Sequence, residues 1–143
     1  MNKLMLELLT AVQNLFETFS TKDLLTGGLW YERVPPDSQL PYCVITATGG
    51  EKTNTSTYDY LQIFTITFTL YALGGIGKNT IAPLATLLDE FNFCEGELSL
   101  ASGRVVAFVP SGNIITIEPE LINSEDVTKI TASFLVTLQG RSI

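Results

Sequence analysis

The chain contains no histidine. Without an imidazole, neither Cys43 nor Cys94 has a partner base for thiol catalysis, and neither sits in a recognisable activation motif. These are the only two cysteines, and with no C-x-x-C pair they cannot build an ordinary zinc site without carboxylates. They read as free, buried thiols of a reducing compartment. Basic residues are also scarce, 8 against 15 acidic ones, for a formal charge of −7. A protein that grips nucleic acid by its phosphates needs a basic stripe, so direct DNA binding is disfavoured.

Long apolar runs are missing too. The opening stretch, residues 4–19, is broken by Glu7, Gln13, Asn14 and Glu17, which leaves no signal-peptide core. The run at residues 61–73 carries Gln62 and several threonines and tyrosines, and is too short to span a bilayer as a helix. A soluble chain with no membrane contact is the expectation, and the Asn54-Thr55-Ser56 glycosylation match reads as chance. No internal repeat or low-complexity linker divides the 143 residues, a length that suits one domain with a real core.

Apolar residues make up 45% of the chain and charged ones only 16%. The surface must therefore be rich in Thr, Ser, Asn and Gln, and threonine on strands suits a sheet whose second face is partly covered by another subunit. Leu4, Met5, Leu8, Leu9, Val12, Leu15, Phe16 and Phe19 recur every three or four residues, which predicts an amphipathic helix. Strands are expected at 29–34 and 42–48, joined by a hairpin-like corner in which Pro35 and Pro36 fix φ and Pro41 restarts an extended segment.

Residues 49–58, GGEKTNTSTY, have almost nothing to bury and read as a mobile loop or an extended hairpin tip. Residues 62–72 then alternate: Phe64, Ile66, Phe68, Leu70 and Ala72 share one face, Ile63, Thr65, Thr67, Thr69 and Tyr71 the other. After a glycine-rich loop at 74–77, Thr80 can cap a second helix striped by Ile81, Leu84, Ala85, Leu87, Leu88 and Phe91, with Pro83 in its first turn. Strands at 104–109, 113–121 and 127–139 follow. The order α-β-β-β-α-β-β-β predicts an α+β domain, an antiparallel or mixed sheet with two helices packed on one face.

The loop Gly74-Gly75-Ile76-Gly77-Lys78-Asn79 resembles a phosphate-binding loop, but Ala72 stands where glycine is required and Asn79 where Ser or Thr is. A flexible connection is the better reading. Glu95 with Glu97, and Glu118 with Glu120, form i, i+2 carboxylate pairs of the kind a glycosidase or a hard-cation site uses. Such pairs are common on solvated strand ends, and Pro119 marks an edge or a bulge. Arg33 stands beside Glu32 and Asp37, either stapling the proline turn or pairing across a subunit interface. The aromatics Trp30, Tyr31, Tyr42, Tyr58, Tyr60 and Tyr71 suit sheet packing, with a minority anchoring an interface.

The element W-Y-E-R-V-P-P-D…L-P-Y at residues 30–42 resembles a motif of the phage tail-terminator and tail-completion family of small virion proteins. The likeness continues through the opening helix, the strand ending at Tyr71-Ala72, A-x-x-L-L-D at residues 85–89 and F-x-V-x-L at 134–138. The resemblance implies a non-enzymatic protein without cofactor or metal. Its partners would be copies of itself in a ring, typically of six, the tail tube protein, and neck or connector proteins. Assembled in the host cytoplasm, the ring would cap the head-proximal end of the tail tube and stop its growth, one face matching the last tube ring and the other not propagating. DNA would only pass through the lumen, where acidic walls repel its phosphates.

A head-to-tail connector or neck protein is the alternative within the same class. A small ligand-binding module, monomeric or dimeric with an apolar pocket, is a second class, and an enzyme using Glu118 and Glu120 a third. Exposure and polarity nominate three assembly surfaces: the proline turn with Arg33, Pro35, Pro36 and Asp37; the tip with Glu51, Lys52, Thr55 and Thr57; and the threonine face with Thr65, Thr67 and Thr69.

Overall fold

The computed structural model describes residues 3–55, 59–74, 78–111, 116–122 and 125–141. Helix α1 spans Lys3–Phe16, followed by strands β1 (Gly28–Tyr31), β2 (Tyr42–Asn54) and β3 (Asp59–Leu73). Helix α2 (Lys78–Asp89) precedes β4 (Gly103–Pro110), β5 (Thr116–Ile122) and β6 (Glu125–Arg141), with short 3₁₀ turns at Lys22–Leu24 and Glu95–Glu97. The element order and the α+β class are those the residue pattern predicts.

The sheet is mixed, ordered β1-β2-β3-β6-β4, with β5 also on β6. Its spine is the antiparallel ladder between β3 and β6, running from Asp59 opposite Arg141 to Leu73 opposite Val127. Along the other edge of β6, β4 pairs with residues 134–140 and β5 with residues 125–131. The period of two then sets the faces. Phe64, Ile66, Phe68, Leu70 and Ala72 of β3 are buried together with Ile130, Ala132, Phe134, Val136 and Leu138 of β6.

Both helices cover this one face. Leu4, Leu8, Leu9, Val12 and Phe16 of α1 and Leu84, Leu87 and Leu88 of α2 join the same core cluster. Aromatic rings tie the layers: Phe19 meets Phe91 edge-on at 5.0 Å, and Phe91 stacks on Phe68 at 4.4 Å. From there Phe68 meets Phe134 at 5.5 Å and Phe134 meets Phe108 at 5.0 Å. Beside them lie both thiols, free and buried. Burial pushes the Cys43 thiol far up, and burial with the nearby Glu97 and Glu95 carboxylates pushes Cys94 up to about 12.

Two local expectations need correction. The proline turn does not close a hairpin, because β1 and β2 run parallel, Leu29 opposite Cys43 and Tyr31 opposite Ile45. Glu32 and Asp37 both adopt the left-handed conformation, at φ 65°, and bend the intervening chain back to the start of β2. The return is pinned where the Gly27 amide donates to the Pro41 carbonyl at 2.9 Å. A Cβ at Gly27 would lie 1.8 Å from the Gln39 carbonyl oxygen, so only glycine fits this crossing. In the second case, α2 begins at Lys78 rather than at a Thr80 cap, so Pro83 lies inside the helix. The carbonyl of Asn79 therefore has no i+4 amide to accept from.

Of the two readings of residues 49–58, the extended ribbon is the one found over residues 49–55, and residues 56–58 lie outside the described residues. The β2–β3 ladder continues to Asn54 opposite Tyr60, and the Thr55 amide donates to the Asp59 carbonyl at 3.0 Å. The ribbon carries a bulge between Gly49 and Lys52. β1 ends at Tyr31, short of Val34, because Glu32 leaves the extended region. Residues 113–115 lie outside the described residues; β5 is described from Thr116, and Pro119 sits on it opposite Thr128, a tolerable place because β5 pairs only with β6 among the described strands.

Two outcomes follow. Gly27→Ala should lower stability by roughly 2–3 kcal/mol in urea unfolding, while Gly96→Ala, with open space around it, should change it by under about 0.5 kcal/mol. In thiol labelling at pH 8, neither Cys43 nor Cys94 should react in the native protein, and both should react in guanidinium.

Candidate interaction surfaces

The face of the sheet that the helices leave uncovered is the largest candidate surface. From β1 to β4 it carries Trp30, Val44, Thr46, Thr48, Ile63, Thr65, Thr67, Thr69, Thr131, Ser133, Leu135, Thr137, Ala107 and Val109. None of these is charged; the charged side chains of this face stand at its ends, Lys129 opposite Tyr71 and Arg104 opposite Gln139. Trp30 is 37% exposed, Ile63 49% and Leu135 39%, so apolar side chains open to solvent alternate with a field of hydroxyls. Thr67 and Ser133, directly opposite in the ladder, pair their hydroxyls at 3.0 Å. Hydroxyls that bond one another satisfy part of each other's polar demand, and the uncharged middle of the face can be covered without the desolvation cost that ions carry.

At the β5 end of this face stands an ion pair, Lys129 Nζ to Glu118 Oε1 at 3.8 Å. Glu118 therefore lies across the strand from a cation, while Glu95 and Glu97 occupy a separate 3₁₀ turn. Among the described residues no group of three or more potential ligands could hold a metal ion. No described helix is long and apolar enough to cross a membrane.

The proline turn folds against the same end of the sheet. A shallow cavity of about 320 Å³ lies between Val34, Pro35, Pro36 and Asp37 on one side and Tyr42, Ile122 and Val127 on the other. Arg33, Pro35, Pro36 and Asp37 are exposed, and Ser38 Oγ closes the turn by donating to the Pro35 carbonyl at 2.8 Å. Arg33 forms no ion pair with Glu32 or Asp37, so the staple reading is not what holds this turn. β1 is anchored instead by the Tyr31 hydroxyl, which donates to the Leu9 carbonyl of α1; burial pushes that phenol up to about 12.

The tip residues are spread along the ribbon. Glu51 is a strand residue of β2, Lys52 and Thr55 are exposed, and Thr57 lies outside the described residues. Lys52 turns back over the Tyr60 ring, its Nζ 4.1 Å from the centroid. That places it at the mouth of a cleft of about 830 Å³ lined also by Lys3, Asp59, Ser102, Arg104 and Gln139. Residue pattern alone nominates neither Lys3 nor Arg104, because they come from α1 and β4 and meet Lys52 only through the β3–β6 ladder.

Behind this cleft the Ser102 amide donates to Glu7 Oε1 at 2.7 Å. Burial by itself pushes the Glu7 carboxyl up, but Ser102, the Ala101 amide and Lys3 together outweigh it and hold the group below the usual carboxylate range. Its contribution is then present above the ordinary value of 4.5 and is lost as pH falls through the lower folded value. Melting temperature should accordingly fall as pH drops below 4.5, and Glu7→Gln should flatten that part of the profile while leaving the slope above it unchanged.

No protein-family model matches the chain, and no curated protein does. Solved structures do match. A chain from the virion of a native gene transfer agent particle is 16% identical, superposes with a TM-score of 0.58, and covers 91% of this chain and 92% of its own. A second solved chain is 11% identical over 89% of this one with a TM-score of 0.46. At such low identity the virion chain establishes likeness of fold, and it does so over nearly the whole length of both chains.

Proposed function

We propose that this protein is a structural, non-enzymatic component of a phage-like virion, a ring-forming subunit that caps the head-proximal end of a tail tube and joins it to the head. The observation that carries the reading is the fold shared, nearly end to end, with a chain of a gene transfer agent virion. The V-P-P…L-P-Y element at residues 34–42 supports the narrower tail-terminator role, and the sheet face that the helices leave uncovered, uncharged across its middle, supplies a surface suited to permanent cover. In this role the ring would present the tube with a face that matches it and the head with one that does not propagate. Thr65, Thr67 and Thr69, the exposed turn at Arg33, Pro35, Pro36 and Asp37, and the ribbon at Glu51, Lys52, Thr55 and Thr57 are the assembly surfaces of the proposal.

The test is light scattering coupled to size exclusion, with and without the tail tube protein, and negative-stain images of the peaks. A ring of about six subunits on or near the tube is expected, and tube growth should stop in its presence. Binding to a portal or adaptor protein rather than the tube would move the role to the connector. A strict monomer that binds neither would refute the virion assignment. The double variant Thr65→Lys/Thr69→Lys should abolish assembly while shifting stability by less than about 1 kcal/mol, since both side chains are only half buried.

A further inference from the structure

The cleft at the start of α1 gathers three of the eight basic residues of an acidic chain. Lys3 enters from α1, Lys52 from the ribbon and Arg104 from β4, around backbone of residues 101–103. Arg104 is held in place as its Nε donates to Gln139 Oε1 at 2.6 Å, and Lys52 by the Tyr60 ring at 4.1 Å. Among the described side chains the carboxylates nearby are Asp59, which lines the cleft, and Glu7, whose Oε1 is engaged by the Ser102 amide. The three cations therefore outnumber the described acids around them, against the −7 of the whole chain.

Acid is concentrated at the opposite end of the same helix. Past the C-terminus of α1 stand Glu17 and, on the following turn, Asp23; against that turn lies the end of α2 with Asp89 and Glu90. Thr21 Oγ1 donates to Glu90 at 3.1 Å and binds the two segments into one end. Lys22, a cation at this end, faces Glu17 at 3.7 Å. Asp23 and Asp89 are exposed. Fourteen residues of α1 separate the two poles, roughly 21 Å at 1.5 Å per residue, so cleft and acidic end cannot meet within one molecule.

We propose that the Lys3–Lys52–Arg104 cleft receives the acidic end of a second copy of this chain, at Asp23 and Asp89. The inference rests on the ring reading above and deepens it. A contact between two different patches of identical subunits is heterologous, and such contacts generate a closed ring when the rotation closes. Charges of opposite sign at the two ends fix the direction in which subunits join and disfavour head-to-head pairing, where like charges would face each other. The cleft lies partly open to solvent, so its attraction is screened by salt.

Charge exchange tests it on the full-length protein. Lys52→Glu/Arg104→Glu and, separately, Asp23→Lys/Asp89→Lys should each weaken ring formation at least tenfold by light scattering. An equimolar mixture of the two should restore rings, since each reversed cleft then meets a reversed acidic end. Wild-type rings should also weaken between about 50 and 500 mM salt. Thermal melts establish that the variants fold, and Lys52→Gln/Arg104→Gln, expected to weaken assembly less, replaces the reversal if it does not. Either variant assembling alone like wild type, or a folded pair that fails to restore rings when mixed, overturns the proposal while the ring reading stands. A wild-type protein that stays monomeric with the tail tube protein present overturns the ring reading and this contact with it.

Discussion

The antiparallel ladder between β3 and β6 is the constraint on which the rest of the molecule depends. Both strands alternate along their shared length, so one register buries Phe64, Ile66, Phe68, Leu70, Ile130, Phe134, Val136 and Leu138 on one face and turns Thr65, Thr67, Thr69, Thr131 and Thr137 to the other. A slip of one residue would exchange the two faces completely. Everything else attaches to this pair: β2 and β1 on the free edge of β3, β4 and β5 end to end on the free edge of β6, and both helices on the apolar side.

Placing both helices on one face has a consequence for function. Stability comes from the covered side, where the rings of Phe68, Phe91, Phe108 and Phe134 form a continuous chain of contacts. The uncovered side is then released from the task of holding the fold. Its hydroxyls and scattered apolar groups can serve association, and the lack of charge in its middle, between Lys129 at one end and Arg104 at the other, lowers the cost of burying it against another subunit. Charge is displaced instead to the two ends of α1, cations at the ribbon side and acids at the far side, which gives the molecule a direction.

Much of this is legible in residues 62–72 and 127–139, where period-two alternation declares both strands and both faces, and in residues 4–19, whose spacing declares α1 and its buried side. Thr65, Thr67 and Thr69 fall on the uncovered face that their positions imply. The proline turn is where reading by pattern stops short. Two apolar runs flanking V-P-P-D look like the arms of a hairpin, yet the strands come out parallel, because the left-handed residues Glu32 and Asp37 and the packing at Gly27 decide the path of the chain. Propensity also places the start of α2 at its best cap, whereas the helix begins earlier and accepts an internal proline because packing of Leu84, Leu87 and Leu88 holds it.

The cleft itself is hidden for a different reason, although Lys52 is nominated as part of the tip. Lys3, Lys52 and Arg104 are far apart in sequence and carry no shared motif, and only strand order brings them together. By itself the sequence determined the elements, the two faces of the central strands and the character of the core, since these follow from local periodicity and the cost of burying polar groups. Only the tertiary structure decided which strands are neighbours, which way β1 runs, and where the few cations converge, because those depend on long-range pairing that no local pattern encodes.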